Sequence, residues 1–162
     1  MHTGSYNRMR WFAEKYLSRN DSLKILDVGS MDINGTYKDI FDPWEYEGLD
    51  LRAGKNVDIV VVDEYCFGIE KEYDVVISGN TMEHVKSFWN WIFAVTEACK
   101  SGGLVCIITP TRIGEHKHPL DCWRIYPDGM RFLIEDYVGM EILDIGMDKE
   151  SEHNDTYVVA RK

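Results

Sequence analysis

Between Ser5 and Arg19 the residues Tyr6, Met9, Phe12, Ala13, Tyr16 and Leu17 recur at three- and four-residue intervals, the spacing of one buried helix face. Leu23 to Val28 is a short apolar run, partly β-branched, that stops at Gly29, as a buried strand entering a glycine turn does. Thr36 to Phe41 predicts a short helix. Glu47–Leu51, Val57–Val62 and Tyr73–Ser78 follow as strand-length runs without strict alternation, the pattern of strands covered on both faces. After Ser87, a residue suited to an N-cap, Phe88, Trp91, Ile92, Val95 and Cys99 form one helical stripe, with Gly102 and Gly103 beyond its end. Leu104–Thr109 predicts a fifth strand.

Beyond Pro110 the chain turns polar and His-rich as far as Trp123, a loop long enough to suggest function. A helix is predicted from Pro127 to Tyr137, with proline at its first position. Glu141–Met147 and Thr156–Ala160 read as a closing antiparallel pair around the charged turn Asp148–Asp155. Such alternation implies an open, mostly parallel α/β sheet, which binds ligands at the carboxyl ends of its strands. No repeat, low-complexity tract or linker divides residues 1–162, so one domain is expected.

Composition narrows the function. The 162 residues are 44% hydrophobic and 28% charged, enough for one core and too few for two enzyme domains. A formal charge of -10 repels a polyanion, so nucleic acid is disfavoured as a partner. Cys66, Cys99, Cys106 and Cys122 show no C-x-x-C spacing and read as reduced, mostly buried thiols, which fits a cytoplasmic protein. The apolar runs are far shorter than the ~20 residues of a membrane span.

The first strand ends in Leu26-Asp27-Val28-Gly29-Ser30-Met31-Asp32-Ile33-Asn34-Gly35, and Asp50 closes the second, 23 positions after Asp27. In a nucleotide-binding βαβ unit, glycine lets backbone approach the ligand and an acid about 20 residues on takes ribose hydroxyls. The glycines depart from G-x-G-x-x-G, no Walker lysine is present, and Asp27 and Asp32 would repel a pyrophosphate. A cofactor bearing a sulfonium and an ammonium suits this loop better, which selects S-adenosylmethionine over NAD by charge. A purely structural turn is the alternative.

With these residues the chain resembles the class I S-adenosylmethionine-dependent methyltransferases, and within them a small bacterial methyltransferase-like group. The resemblance spans nearly the whole chain. It includes Val61-Val62-Asp63-Glu64, the segment Tyr73 to Val85 ending in Met82-Glu83-His84-Val85 where the family has Leu-Glu-His-Val, and Gly102-Gly103-Leu104 to Pro110. It implies a Rossmann-like seven-stranded, mostly parallel sheet with helices on both faces and an antiparallel C-terminal strand. It also implies roles: Gly29 and Ser30 along the methionine part of the cofactor, Asp27 near its ammonium through water, and Asp50 with Leu51 at the ribose. Asp63 and Glu64 would border the adenine, and Gly79 and Asn80 the methyl-bearing end. Cys66-Phe67-Gly68-Ile69 replaces the family's frequent Asp-Leu-Pro-Phe on the adenine side.

The remaining chemistry lies in the 111–126 loop, which follows the fifth strand and should overhang the same sheet edge. His118, His116 and His84 are the candidate general bases, in that order; for Glu83-His84 the alternative is a pair that satisfies backbone amides. His116, His118, Trp123 and Arg124 are candidate substrate contacts, with anchoring of the following helix the alternative for Arg124. Trp11, off the apolar face of the segment 1–20, is a candidate lid and substrate contact, with a side chain that merely snorkels at the surface the alternative. His116, His118 and Asp121 make a weak ligand pattern, and no metal site is expected. The expected reaction is methyl transfer by in-line displacement to a small-molecule acceptor, because no appended domain recognises a polymer. Two rivals are a non-catalytic S-adenosylmethionine or S-adenosylhomocysteine binding module acting through a protein partner, and a nicotinamide-dependent oxidoreductase.

Overall fold

A computed structural model describes residues 2–69, 72–149 and 152–162. The apolar runs become β1 (Lys24–Val28), β2 (Glu45–Asp50), β3 (Ile59–Val60), β4 (Tyr73–Gly79) and β5 (Cys99–Thr109), followed by the hairpin β6 (Glu141–Asp148) and β7 (Asp155–Arg161). They form one seven-stranded sheet in the order β3-β2-β1-β4-β5-β7-β6. β1 to β5 are mutually parallel, and β7 runs antiparallel to both of its neighbours. In the turn between β6 and β7, Glu150 and Ser151 lie outside the described residues, as does Met1 of the N-terminal segment.

The missing alternation has a direct cause. Ile25, Val75, Ile77, Cys106, Ile108 and Val159 pack on one face with Met9, Phe12 and Phe41. Leu26, Val76, Val105, Ile107 and Val158, their chain neighbours, pack on the other with Trp91, Ile92, Val95, Met130 and Leu133. Both parities of each central strand are therefore apolar, since neither face meets water.

Helix α1 (Thr3–Tyr16) covers the first face through Met9, Phe12 and Ala13. It stops three residues before Arg19's predicted helical end is reached, where Leu17 turns extended. The β1–β2 connection contains only a 3-10 turn, Lys38–Ile40, shorter than the predicted Thr36–Phe41 helix. Tyr37, Ile40, Phe41 and Trp44 fill that space instead, packed with Met9 and Phe12. Two hydroxyl contacts, Ser5 with Tyr37 and Tyr6 with Asp39, tie this connection to α1.

Helix α2 (Phe88–Ala98) buries Trp91, Ile92 and Val95 as the stripe predicts, but the Ser87 side chain makes no cap bond. Strand β5 begins at Cys99, five residues earlier than the predicted Leu104. Gly102 and Gly103 lie within it, where Gly102 has a φ of 78° and the pairing with β4 shifts register. Helix α3 (Pro127–Arg131) passes into a π-helical turn, Phe132–Tyr137. Cys99 and Cys106 are buried, whereas Cys66 and Cys122 are exposed, so half of the thiols depart from the expected burial. Among the described residues no helix is long and apolar enough to cross a membrane.

Gly29, at the end of β1, combines a φ of 82° with a position where an added Cβ would lie 2.1 Å from Thr81 Oγ1. Gly29→Ala should therefore cost roughly 2 kcal/mol or more, from left-handed backbone and overpacking together. Gly114, with no heavy atom within 4 Å of such a Cβ, is the control, and Gly114→Ala should leave stability unchanged or slightly raised. Urea unfolding of both variants checks this.

Candidate functional site

The chain leaves β1 toward β2 and β3, then crosses back to β4 on the other side of β1, so the loops after β1 and β4 diverge. This switch point opens a crevice at the carboxyl edge of the sheet. A cleft of about 1100 Å3 lies there, lined from β1 by Asp27 and Gly29, from β2 by Asp50 and from β4 by Gly79. Ser30, Leu51, Asp63, Glu64 and Asn80 line it as well, so all nine predicted cofactor residues meet in one space.

Asp27 occupies a strand position whose neighbours are apolar, and it is 3% exposed. Its carboxylate accepts a hydrogen bond from the Tyr46 hydroxyl, and no cation pairs with it among the described residues. Burial raises its pKa to about 7, against the lowering effect of Tyr46. Gly29 and Ser30 both donate their N–H groups to Leu49 O, at 2.8 and 3.2 Å, which locks the turn onto β2. The Ser30 hydroxyl donates to Asn56 O at 2.8 Å, while Asn56 Nδ2 donates to Ser30 O at 3.0 Å. Ser30 thus braces the loop through both its side chain and its backbone.

Asp50 accepts from Met31 N at 3.3 Å and from Leu51 N at 2.7 Å, fixing its carboxylate at the mouth of β2. Asp63 accepts from Tyr65 N at 2.8 Å in a tight turn. Gly79 passes directly beneath Tyr37, where a Cβ would lie 2.1 Å from the hydroxyl. Asn80 takes a left-handed φ of 57° and donates its N–H to Ile108 O at 2.9 Å.

Asp32 corrects the charge argument. Its carboxylate pairs with Lys55 Nζ at 2.5 Å and accepts from Gly35 N at 2.7 Å. The Lys55 bond holds its pKa below the usual range, and the residue is not among those lining the cleft. The acids that line the cleft are Asp27, Asp50, Asp63 and Glu64.

The loop 111–126 overhangs this edge and brings His116 and His118 to the cleft beside His84. Trp123 and Arg124 do not line it. Trp123 donates Nε1–H to Val85 O at 2.8 Å and packs edge-on against Phe88, 4.9 Å between centroids. Arg124 grips Asp121 with two bonds of 2.6 and 2.7 Å and donates to Trp123 O at 2.8 Å. This bidentate pair pulls the Asp121 carboxyl well below its usual range. Both residues hold the loop in shape, which for Arg124 matches the anchoring alternative.

Trp11 does not line the cleft either. It stands on the far flank of α1, edge-on to Tyr157 at 5.5 Å and beneath the Arg8 guanidinium at 4.7 Å. The part of α1 that reaches the cleft is its cap: His2 lines the cavity, with Nε2 3.2 Å from Asp155 Oδ1 and its ring 4.2 Å from that of His153. His2, Tyr37, Thr81, Lys86 and His153 are lining residues missing from the sequence prediction.

Glu83 and His84 sit on a 3-10 turn, Met82–His84, just after β4. Glu83 is fully buried; Thr109 Oγ1 donates to its Oε2 at 3.2 Å, and its backbone oxygen accepts from Cys122 N and Trp123 N at 2.7 and 3.2 Å. Burial pushes its pKa up to about 7. His84 Nδ1–H donates to Leu120 O at 2.6 Å, which leaves Nε2 as the free nitrogen, and burial lowers the ring's pKa.

The sequence matches no protein-family model and no curated protein sequence. Its structure is similar to solved methyltransferases. An S-adenosylmethionine-dependent methyltransferase from Aquifex aeolicus superposes with a TM-score of 0.69 at 15% identity, over 97% of this chain and 90% of that one. The Burkholderia thailandensis 1,6-didemethyltoxoflavin-N1-methyltransferase, with its substrate and S-adenosylhomocysteine bound, gives 0.76 at 13% identity over 98% and 78%. A putative methyltransferase of Haloferax volcanii in complex with the activator Trm112 gives 0.69 at 13% over 99% and 89%. The chain has the class I methyltransferase fold.

The raised pKa of Asp27 has a definite sign. Between pH ~4 and ~7 the folded protein keeps a proton that the unfolded chain has released, so the stability Asp27 contributes is complete below pH ~4 and lost as pH rises through about 7. Asp27→Asn removes that titration. Its advantage over the parent in urea unfolding should grow from pH 4 to pH 7, level off above, and reach roughly 4 kcal/mol at most; a difference independent of pH would contradict the assignment.

Proposed function

We propose that this protein is an S-adenosylmethionine-dependent methyltransferase acting on a small-molecule acceptor. The observation that carries the reading is Asp27: a buried carboxyl without a cation, facing a cleft at the switch point of a methyltransferase fold, opposite the acid that ends β2. A ligand with an ammonium group supplies the missing positive charge and favours the ionised form of Asp27. A pyrophosphate meets the same carboxyl as a like charge.

When bound, the cofactor supplies an electrophilic methyl group on a positively charged sulfur. The chain's own residues bind and orient. Gly29 and Ser30 pack along the methionine portion, Asp27 faces the ammonium through water, and Asp50 with Leu51 takes the ribose. Asp63 and Glu64 border the adenine, and Gly79 and Asn80 line the methyl-bearing end. Holding donor and acceptor in near-attack geometry is worth up to ~7–11 kcal/mol. A base adds ~10²–10⁴-fold where the acceptor is a hydroxyl or amine, and His118, His116 and His84 are the candidates at the cleft wall.

The small-molecule class rests on volume and charge. Ligand pockets commonly hold ~300–1,000 Å3, and about 1100 Å3 leaves room for an acceptor beside the cofactor. The net charge of -10 opposes a nucleic-acid acceptor.

Calorimetric titration tests the reading. S-adenosylmethionine and S-adenosylhomocysteine should bind saturably with one site per chain, NAD should not, and Asp50→Ala should weaken both by tenfold or more. Binding of NAD in place of the sulfur nucleosides would move the protein to the oxidoreductase class. Cofactor binding without turnover across an acceptor screen would favour the non-catalytic module.

A further inference from the structure

We propose that Glu83, His84 and His116 form a binding site for a divalent transition metal of the zinc type, at the wall of the cleft and independent of the nucleoside pocket. The three residues each offer one ligand atom, and these atoms lie within 4.8 Å of one another. His84 Nε2 is 3.7 Å and His116 Nε2 3.9 Å from the same carboxylate oxygen, Glu83 Oε1. Four-coordinate zinc, with metal–ligand distances of ~2.0–2.1 Å, separates its ligand atoms by roughly 3.3 Å. Two of the three separations exceed that by about half an ångström, while the set as a whole spans up to 4.8 Å, so the two imidazoles must draw together to enclose an ion.

The polar bookkeeping points the same way. Glu83 is 0% exposed, and its Oε1 is buried without a hydrogen-bond partner among the described residues. A buried carboxylate oxygen left bare is costly, and here it is aimed at two imidazole nitrogens. The far nitrogen of each ring faces an oxygen, as in metal-bound histidines, whose second nitrogen meets a carbonyl or carboxylate, although only that of His84 makes a hydrogen bond. His84 Nδ1–H donates to Leu120 O at 2.6 Å, and His116 Nδ1 stands 3.4 Å from Asp121 Oδ2, the carboxylate that Arg124 holds. Both rings therefore present Nε2 to Glu83.

A plain ion pair explains less. Ring centroids of His84, His116 and His118 lie 4.9, 5.6 and 6.0 Å apart, so protonating them to satisfy Glu83 brings like charges together. Neutral rings and one carboxylate around a cation remove that conflict. Two imidazoles and one carboxylate are also a donor set that leaves coordination positions open. His84 and His116 line the cleft and Glu83 lies behind them, so the open positions face the cleft. With two histidines committed as ligands, His118 remains the imidazole available as a base.

Sequence spacing points elsewhere, to His116, His118 and Asp121. In the structure Asp121 is engaged by Arg124 and stands behind His116, and the carboxylate at the centre is Glu83, more than 30 positions away in the chain.

The test is calorimetric titration of chelator-stripped, full-length protein with Zn2+, together with the visible absorption of its Co2+ form. Expected are one ion per chain, Co2+ bands of a low-coordinate nitrogen and oxygen site, and a tenfold or greater loss of affinity in both Glu83→Gln and His116→Ala. Asp50→Ala should bind the ion as the parent does even where it no longer binds nucleoside, which separates this proposal from the cofactor reading. His116 is partly exposed, so its variant reports on binding even if Glu83→Gln proves unstable. Absence of stoichiometric binding, or binding that His116→Ala leaves intact, overturns the proposal.

Discussion

Burial of the central strands on both faces governs where polar groups can stand in this molecule. Ile25 and Leu26, Val75 and Val76, and Cys106 and Ile107 point alternately into two apolar clusters, so β1, β4 and β5 have no wet face. The buried polar side chains on these strands are found toward their carboxyl ends, each with a partner. Asp27 takes the Tyr46 hydroxyl, Ser78 donates to Val28 O at 2.7 Å, and Thr109 donates to Glu83. The functional edge is where the apolar constraint relaxes, and the cleft opens there because the loops after β1 and β4 part.

Two buried acids define the chemistry of that edge. Asp27 beneath the β1 turn and Glu83 beyond β4 are both pushed to a pKa of about 7 by burial. Each is a carboxyl that a cation would stabilise in its charged form, and each stands beside groups suited to a different one. Asp27 belongs to the space proposed for the cofactor ammonium, and Glu83 to the histidine cluster proposed to hold a metal.

The loop that carries His116 and His118 is rigidly seated, although its composition suggests a mobile surface segment. Glu83 O binds the Cys122 and Trp123 amides, Trp123 Nε1 binds Val85 O, and Arg124 closes on Asp121. Trp123 and Arg124 are its fasteners, one bonded to Val85 O outside the loop and the other to Asp121 within it, and the histidines reach the cleft in a defined arrangement.

The local sequence determined what depends on near neighbours. Apolar runs without alternation announced a sheet buried on both sides, the stripe after Ser87 announced α2, and Gly29 with Asp50 marked the edge where the cleft lies. Strand limits were legible to within a few residues, except at β5, where Gly102 and Gly103 look like a helix stop but are absorbed by a register shift against β4. What depends on distant partners was not legible. Lys55 pairs with Asp32 outside the cleft, Trp11 packs edge-on against Tyr157, and Tyr37 packs with Met9 and Phe12 at the start of the segment Thr36–Phe41 expected as a helix. Above all, Glu83 meets His116 only because β4 and β5 are adjacent and parallel, so that the loops following them share one end of the sheet. Periodicity and spacing carry information along the chain; charge neutralisation and ligand geometry are settled across it, by contacts that only the folded sheet brings within reach.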